Sequence, residues 1–249
     1  MIPHYADKYD AEALYDPAVS VSTGGLPDLP PAVVLGFDRR LRTPVRDRSE
    51  EIDPDPAREL AFYRLADRVA FVPVEEVGVG APVAAIAAEK AIAAGARAVV
   101  VLGGCGAVQP TTSPEAVLLP TEAVRDEGVS YHYLPPDEEV RATPTLLGAL
   151  EGTFADAGLE TSRGPTWTTS ALYRETLPEI EHYREAGFVS AGMESAAVWA
   201  VAAYRGADAA TVHHVDGYLS GDRNAGGERD LPALLAPTAR GLQAHLERA

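Results

Sequence analysis

Disulfides, lysine and long apolar runs are what this chain does without. A single cysteine, Cys105, excludes an internal disulfide and fits a reducing compartment. Lysine occurs only at Lys8 and Lys90, and 37 acidic residues against 21 basic ones leave a net charge of −16. The clustered positive charge that holds a nucleic-acid backbone is therefore missing. No apolar run approaches the roughly 20 residues that cross a bilayer. The opening "MIPHYADKYD" has neither the basic nor the apolar region of a secretory signal. These absences predict a cytoplasmic protein with no nucleic-acid partner and no membrane partner. A small anion is not excluded, because a few arginines make a positive pocket inside an acidic shell.

Apolar material is sufficient for one core. At 46% apolar, the 249 residues suit a single domain over 1–249, without internal repeat or long linker. After the arm "STGGLPDLPP", strands and helices alternate. "AVVLGF" (32–37), "RVAFVPVEEVG" (68–78) and "RAVVVLGG" (97–104) read as strands by their β-branched content. "EAVLLPTEAV" reads as a strand pair, and "FVSAGM" and "DAATVHHV" (208–215) as single strands. Helical patterns run over 81–96, from Asp137 to Ala157, and over "LPEIEHYREAG", "ESAAVWAVAAYRG" and "PALLAPTARGLQAHLER", several closed by glycine. "RDRSEEIDPDPA" reads as a charged loop. This alternation predicts a three-layer α/β/α domain whose ligand sits at the C-terminal ends of the strands.

One acid is out of place. Glu194 stands alone in "GFVSAGMESAAVWAVAAYRG", a stretch with the composition of a buried helix. A carboxylate taken out of water is expensive without partners, so Glu194 either starts the helix or meets hydroxyl or ammonium groups of a ligand. Three glycine clusters follow strands: "LGFDRR", with Gly36 ahead of Arg39, Arg40 and Arg42; "VGVGAP"; and "LGGCGA", with Gly104. Glycine lets backbone amides approach an anion, and arginine supplies planar donors for phosphate oxygens. Each cluster alone is explained as well by packing or a surface turn; three at strand ends point to one shared pocket. In "HHVDGYL", Asp216 ends a strand. A partly desolvated carboxyl there serves as a general acid, or else starts a turn with Gly217. His213 and His214 face opposite sides of that strand with no Cys or carboxylate at ligand spacing, so no metal site is expected.

Taken in order, these segments resemble the nucleoside phosphorylases of the trimer-and-hexamer class, from His4 to about Arg229. "IPHYADKY" is similar to the family's "PHI" segment, which would bring His4 to a neighbouring subunit's sugar 5′-hydroxyl. "GFDRR" is similar to the phosphate loop "GDPxR" and points to Gly36 and Arg40; "ARELAFYRL" resembles the next arginine segment, in which Arg58 would reach a neighbour's phosphate. "LGGCGAVQP" is similar to "GTCGAL", a phosphate-and-sugar loop, and adds Gly104. "GMESAAVWAVAAYRG" resembles the "EMEAA" helix, which puts Met193 and Glu194 at the ribose. "VDGYL" resembles "VSDHI", which makes Asp216 the acid beside the base and Arg229 the arginine coupled to it. Tyr173 keeps the purine enzymes' spacing to Glu194; Trp167 either replaces the stacking aromatic lost at Leu172 or is a core residue.

The resemblance implies a central mixed, partly barrel-like sheet and phosphorolysis of a nucleoside, purine favoured, to free base and pentose 1-phosphate. Inorganic phosphate would be the co-substrate, with no cofactor and no metal. The active unit would be at least a dimer, within a hexamer serving nucleoside salvage. Glu194 would clamp the ribose as positive charge grows on the sugar, and Asp216 would meet the negative charge that grows on the base. Two departures stand out: Val101 where a third phosphate arginine belongs, and Gly192 where an acid precedes Met-Glu. A uridine phosphorylase, a nucleoside hydrolase and a non-catalytic nucleoside-binding protein remain as alternatives. The acidity, with arginine replacing lysine, fits a salt-loving organism, where high salt screens self-repulsion.

Overall fold

The computed structural model describes residues 8–19, 27–54, 60–219 and 230–248. Its strands are β1 (Ala32–Phe37), β2 (Glu50–Glu51), β3 (Tyr63–Ala66), β4 (Val69–Pro73), β5 (Ala98–Ala107), β6 (Val117–Asp126), β7 (Val140–Arg141), β8 (Thr161–Thr169), β9 (Ser190–Gly192) and β10 (Asp208–Tyr218). Unbroken apolar runs in β1, β4 and β5 leave no side fit for water, and these parallel strands form the buried centre of the sheet. β10 pairs in parallel with β5 and antiparallel with β6. Through β8 and β9 the chain of pairings returns to β5, so five strands close into a mixed barrel. The remaining strands extend it as an open wing, and the mixed, partly barrel-like sheet is thus present.

Helices cover both sides: α1 (Arg39–Arg48), α2 (Ala81–Ala93), α3 (Pro144–Asp156), α4 (Leu177–Glu185), α5 (Ser195–Arg205) and α6 (Leu235–Leu246). α2 packs on α5, and α3 on α6. α5 is buried from Ser195 to Ala202 and stops at Gly206, whose φ of 70° is the left-handed conformation that glycine adopts without strain. Among the described residues, no helix is long and apolar enough to cross a membrane.

Four segments depart from the sequence reading. "RRLRTPVRDR" is helix α1 rather than a turn: Asp38 caps it, and Leu41 and Val45, four apart, bury one face despite Pro44. "EAVLLPTEAV" is one strand, not two; Pro120 lacks an N–H and the β6–β8 register slips between Pro120 and Ala123, but the chain stays extended. "TSRGPTWTT" forms β8, a strand absent from the sequence reading, where a Cβ on Gly164 would lie 2.5 Å from Val189 Cγ1, so the glycine marks a tight crossing. The helix expected from Asp137 begins only at Pro144, after the short strand β7.

Candidate active site

The C-terminal ends of β1, β5, β9 and β10 converge on a cavity of about 540 Å³. Phe37 and Asp38, Gly104 to Gly106, Ala191 to Glu194, and Asp216 to Leu219 line it. The C-terminal ends of strands are the usual ligand position in such sheets. The expected residues Gly104, Tyr173, Met193, Glu194 and Asp216 all lie on its wall. Tyr173 stands 95% exposed, beside Leu172 and Leu177.

Glu194 occupies the N-cap position of α5, but its side chain makes no cap bond to that helix. Instead Oε1 accepts from the Gly80 amide at 2.8 Å, and Oε2 from the Met193 amide at 3.1 Å. Gly80, with φ of 91°, turns the "VGVGAP" loop into α2 and aims its N–H at the acid. Only 6% of Glu194 is exposed. Burial pushes its carboxyl pKa up, and the two backbone hydrogen bonds oppose that rise. Each oxygen keeps a lone pair for a ligand hydroxyl.

The other acid is built differently from expectation. Asp216 is not desolvated: its side chain is 59% exposed, and Oδ1 accepts from Arg40 Nη2 at 2.7 Å. Arg40 also grips Asp38, with Nε 3.0 Å from Oδ1 and Nη2 2.6 Å from Oδ2. His214 Nε2, buried on β10, stands 3.0 Å from the same Asp38 Oδ2. Burial works against the Asp38 carboxylate, but the bonds from His214 and Arg40 outweigh it and hold its pKa far below the usual range. The same pairing holds the Arg40 guanidinium well above its ordinary value. Asp38 is the residue that sequence reasoning passed over; its only signal was a helix-capping side chain directly before Arg39 and Arg40.

Asp38, His214 and Asp216 offer donor atoms within 4.8 Å of one another, a grouping that could hold a cation. Asp38 lies 176 residues before His214, which hid this grouping from the expectation that no Cys or carboxylate stands at ligand spacing to the histidines. Here the positive charge is supplied by Arg40. Cys105 lines the cavity as an uncharged thiol, since burial pushes its pKa up.

Arg40 stands off the wall and touches it only through Asp38 and Asp216, and two further expected site residues fall elsewhere. Gly36 lies inside β1, where an added Cβ would sit 2.2 Å from Phe71 Cζ; its glycine makes room for a ring, not for an anion. Gly36→Ala is expected to cost about 1–3 kcal/mol of stability by overpacking, read from urea unfolding. Trp167 is 1% exposed, stacked at 4.8 Å on Tyr183, and donates from Nε1 to Asp126 at 3.0 Å. It is a core tryptophan and offers no stacking face to the cavity. His4, Arg58 and Arg229 lie outside the described residues.

Residues 31–241 match the phosphorylase superfamily. The chain belongs to that superfamily. A guanosine phosphorylase of Halorubrum lacusprofundi is 31% identical over 157 residues, 61% of this chain and 64% of the relative. A uridine phosphorylase of Salmonella typhimurium is 27% identical over 195 residues, covering 73% and 77% of the two chains. In fold, a solved purine nucleoside phosphorylase of Toxoplasma gondii, in complex with immucillin-H, overlays with a TM-score of 0.74 at 24% identity, over 89% of this chain and 93% of that one. Against the superfamily's motifs, Val101 lies buried in β5 between Leu35 and Thr211, so no side chain there reaches the cavity.

At Gly192 the missing acid leaves space for an imidazole. A Cβ at that position would lie 3.0 Å from His213 Nε2. His213 Nδ1 and Ser190 Oγ share a hydrogen bond at 3.1 Å, and Ser190 donates to Thr166 Oγ1 at 2.9 Å. Burial, reinforced by His214, pushes the His213 pKa down to about 3. An unfolded histidine titrates near about 6.5. Between those values only the unfolded chain takes up the proton, so stability falls as pH drops through this window and is unaffected above it. The slope is up to about 1.4 kcal/mol per pH unit. Urea midpoints measured from pH 7 to 4 should fall less steeply in His213→Gln than in the unaltered protein.

Proposed function

We propose that the chain is a nucleoside phosphorylase acting on a purine nucleoside and inorganic phosphate. The observation that carries this reading is Glu194: a buried carboxylate anchored by two backbone amides, on the wall of the cavity that also holds Asp216. A buried charge fixed in this way is an acceptor pair prepared for two hydroxyls, as on ribose. Met193 packs beside the sugar, and Tyr173 stands over the base at the rim. Arg40, with the Gly104 amide, holds phosphate beneath the anomeric carbon. The glycosidic C–N bond breaks as a phosphate oxygen bonds the same carbon, and its electron pair leaves on the base. Asp216 supplies or steadies the proton on a ring nitrogen of that base.

Arg229 would partner Asp216, and His4 and Arg58 would reach a second subunit's site, which makes a dimer the smallest active unit and a hexamer the proposed assembly. Phosphate is the sole co-substrate of this chemistry, with no organic cofactor or metal. Guanosine and uridine phosphorylases among the relatives bracket the substrate class; an acid facing the base favours the purine. A cytoplasmic role in nucleoside salvage, in a salt-rich cell, fits the charge of −16.

Incubation with phosphate and a panel of purine and pyrimidine nucleosides, at low and molar salt, tests the proposal by mass analysis of the sugar product. Pentose 1-phosphate is expected, formed fastest from a purine nucleoside. Free pentose in place of its phosphate would mean hydrolysis, and absence of turnover a binding protein.

A further inference from the structure

The positive charge at the cavity is already claimed. Arg40 is not itself on the cavity wall, and it meets the site through two carboxylates that are. The two contacts are unequal. Asp38 is held by the Arg40 guanidinium through two nitrogens, by the Arg40 amide at 2.8 Å, and by His214 alongside, with its side chain only 9% exposed. Asp216 holds Arg40 through one oxygen, and both side chains of that pair are about half exposed. A two-pronged, sheltered pair is far more durable than a single exposed one, which water and salt weaken.

Gly104 makes the arrangement possible. A Cβ there would lie 3.1 Å from Asp216 Cβ and 3.2 Å from His214 Cε1, so both side chains pack against bare backbone within reach of Arg40. An anion that enters the cavity and seeks this guanidinium meets a fixed carboxylate on one side and a loose one on the other.

We infer that phosphate and Asp216 compete for Arg40, so that phosphate binding releases Asp216 toward the base. Phosphate takes the Nη2 hydrogen that Asp216 holds, and Asp38 keeps its two-pronged grip and stops the guanidinium from following Asp216. Arg40 thereby acts as a phosphate ligand and as the positioning residue for Asp216, with Asp38 and His214 as its support. No covalent bond changes in this step. The inference rests on the proposed roles of Arg40 and Asp216, and it adds a coupling between the two substrates: the base finds its acid ready only once phosphate is in place.

Calorimetric titration with inorganic phosphate alone tests it on the unaltered protein, Asp216→Asn and Arg40→Ala. Removing the competing carboxylate should tighten phosphate about fivefold in Asp216→Asn, the worth of one exposed ion pair. Arg40→Ala should lose most of the binding. If Asp216→Asn binds phosphate no more tightly while Arg40→Ala still loses it, the coupling is wrong and the phosphate site stands. If Arg40→Ala binds as the unaltered protein does, the assignment of Arg40 fails and the coupling with it.

Discussion

Replacing Glu194 by glutamine is expected to lower kcat/KM for a ribonucleoside by about 10²–10³-fold, the usual cost of one preorganised polar contact to a transition state. The carboxylate has two oxygens, each tied to a backbone amide, Gly80 on one side and Met193 on the other. An amide in its place keeps the shape but turns an NH2 toward one of those N–H groups, and offers one acceptor where two hydroxyls need two. Steady-state kinetics with ribo- and 2′-deoxyribonucleosides check the claim: the ratio between the two substrates should shrink in the variant. Undiminished turnover by Glu194→Gln would remove Glu194 from the mechanism.

Asp216→Asn should lower kcat by about 10²–10⁴-fold on an ordinary purine nucleoside, the range for loss of a positioned acid. The dependence on leaving group separates chemistry from packing. A nucleoside whose base already carries a positive charge needs no proton on departure, and the variant should cut it nearly as fast as the unaltered protein does. A merely structural Asp216 would slow both substrates equally. Slower turnover combined with tighter phosphate is a distinctive pairing, since damage to the fold would weaken both.

Much of the frame was legible because its residues leave little choice. The apolar runs of β1 and β5 can be buried only as central strands, and the alanine-rich stretches of α2 and α5 end on glycines with positive φ, Gly95 beyond α2 and Gly206 after α5. Site residues at strand ends were legible for the same reason: once β5, β9 and β10 are set, Gly104, Met193, Glu194 and Asp216 must gather where they stop. What stayed hidden depends on partners distant in sequence. Gly36 carries the same local signal as Gly104, and only the Phe71 ring decides that one makes room for packing and the other for a carboxylate. Trp167 follows Gly164 and Pro165, a pair that imitates a loop; once β8 joins the barrel, its indole turns inward to Asp126. Asp38, unremarked in the sequence, caps α1, and the same carboxylate sets Arg40 against Asp216 across 176 residues of sequence.

Where the sugar lies decides most directly between this mechanism and any other. A crystal structure with phosphate and a purine C-nucleoside, whose carbon–carbon link resists cleavage, measures this. Both ribose hydroxyls are expected within about 3.2 Å of the Glu194 carboxylate, the base against Asp216, and phosphate on Arg40. A sugar bound away from Glu194, or a base turned away from Asp216, would rule this mechanism out.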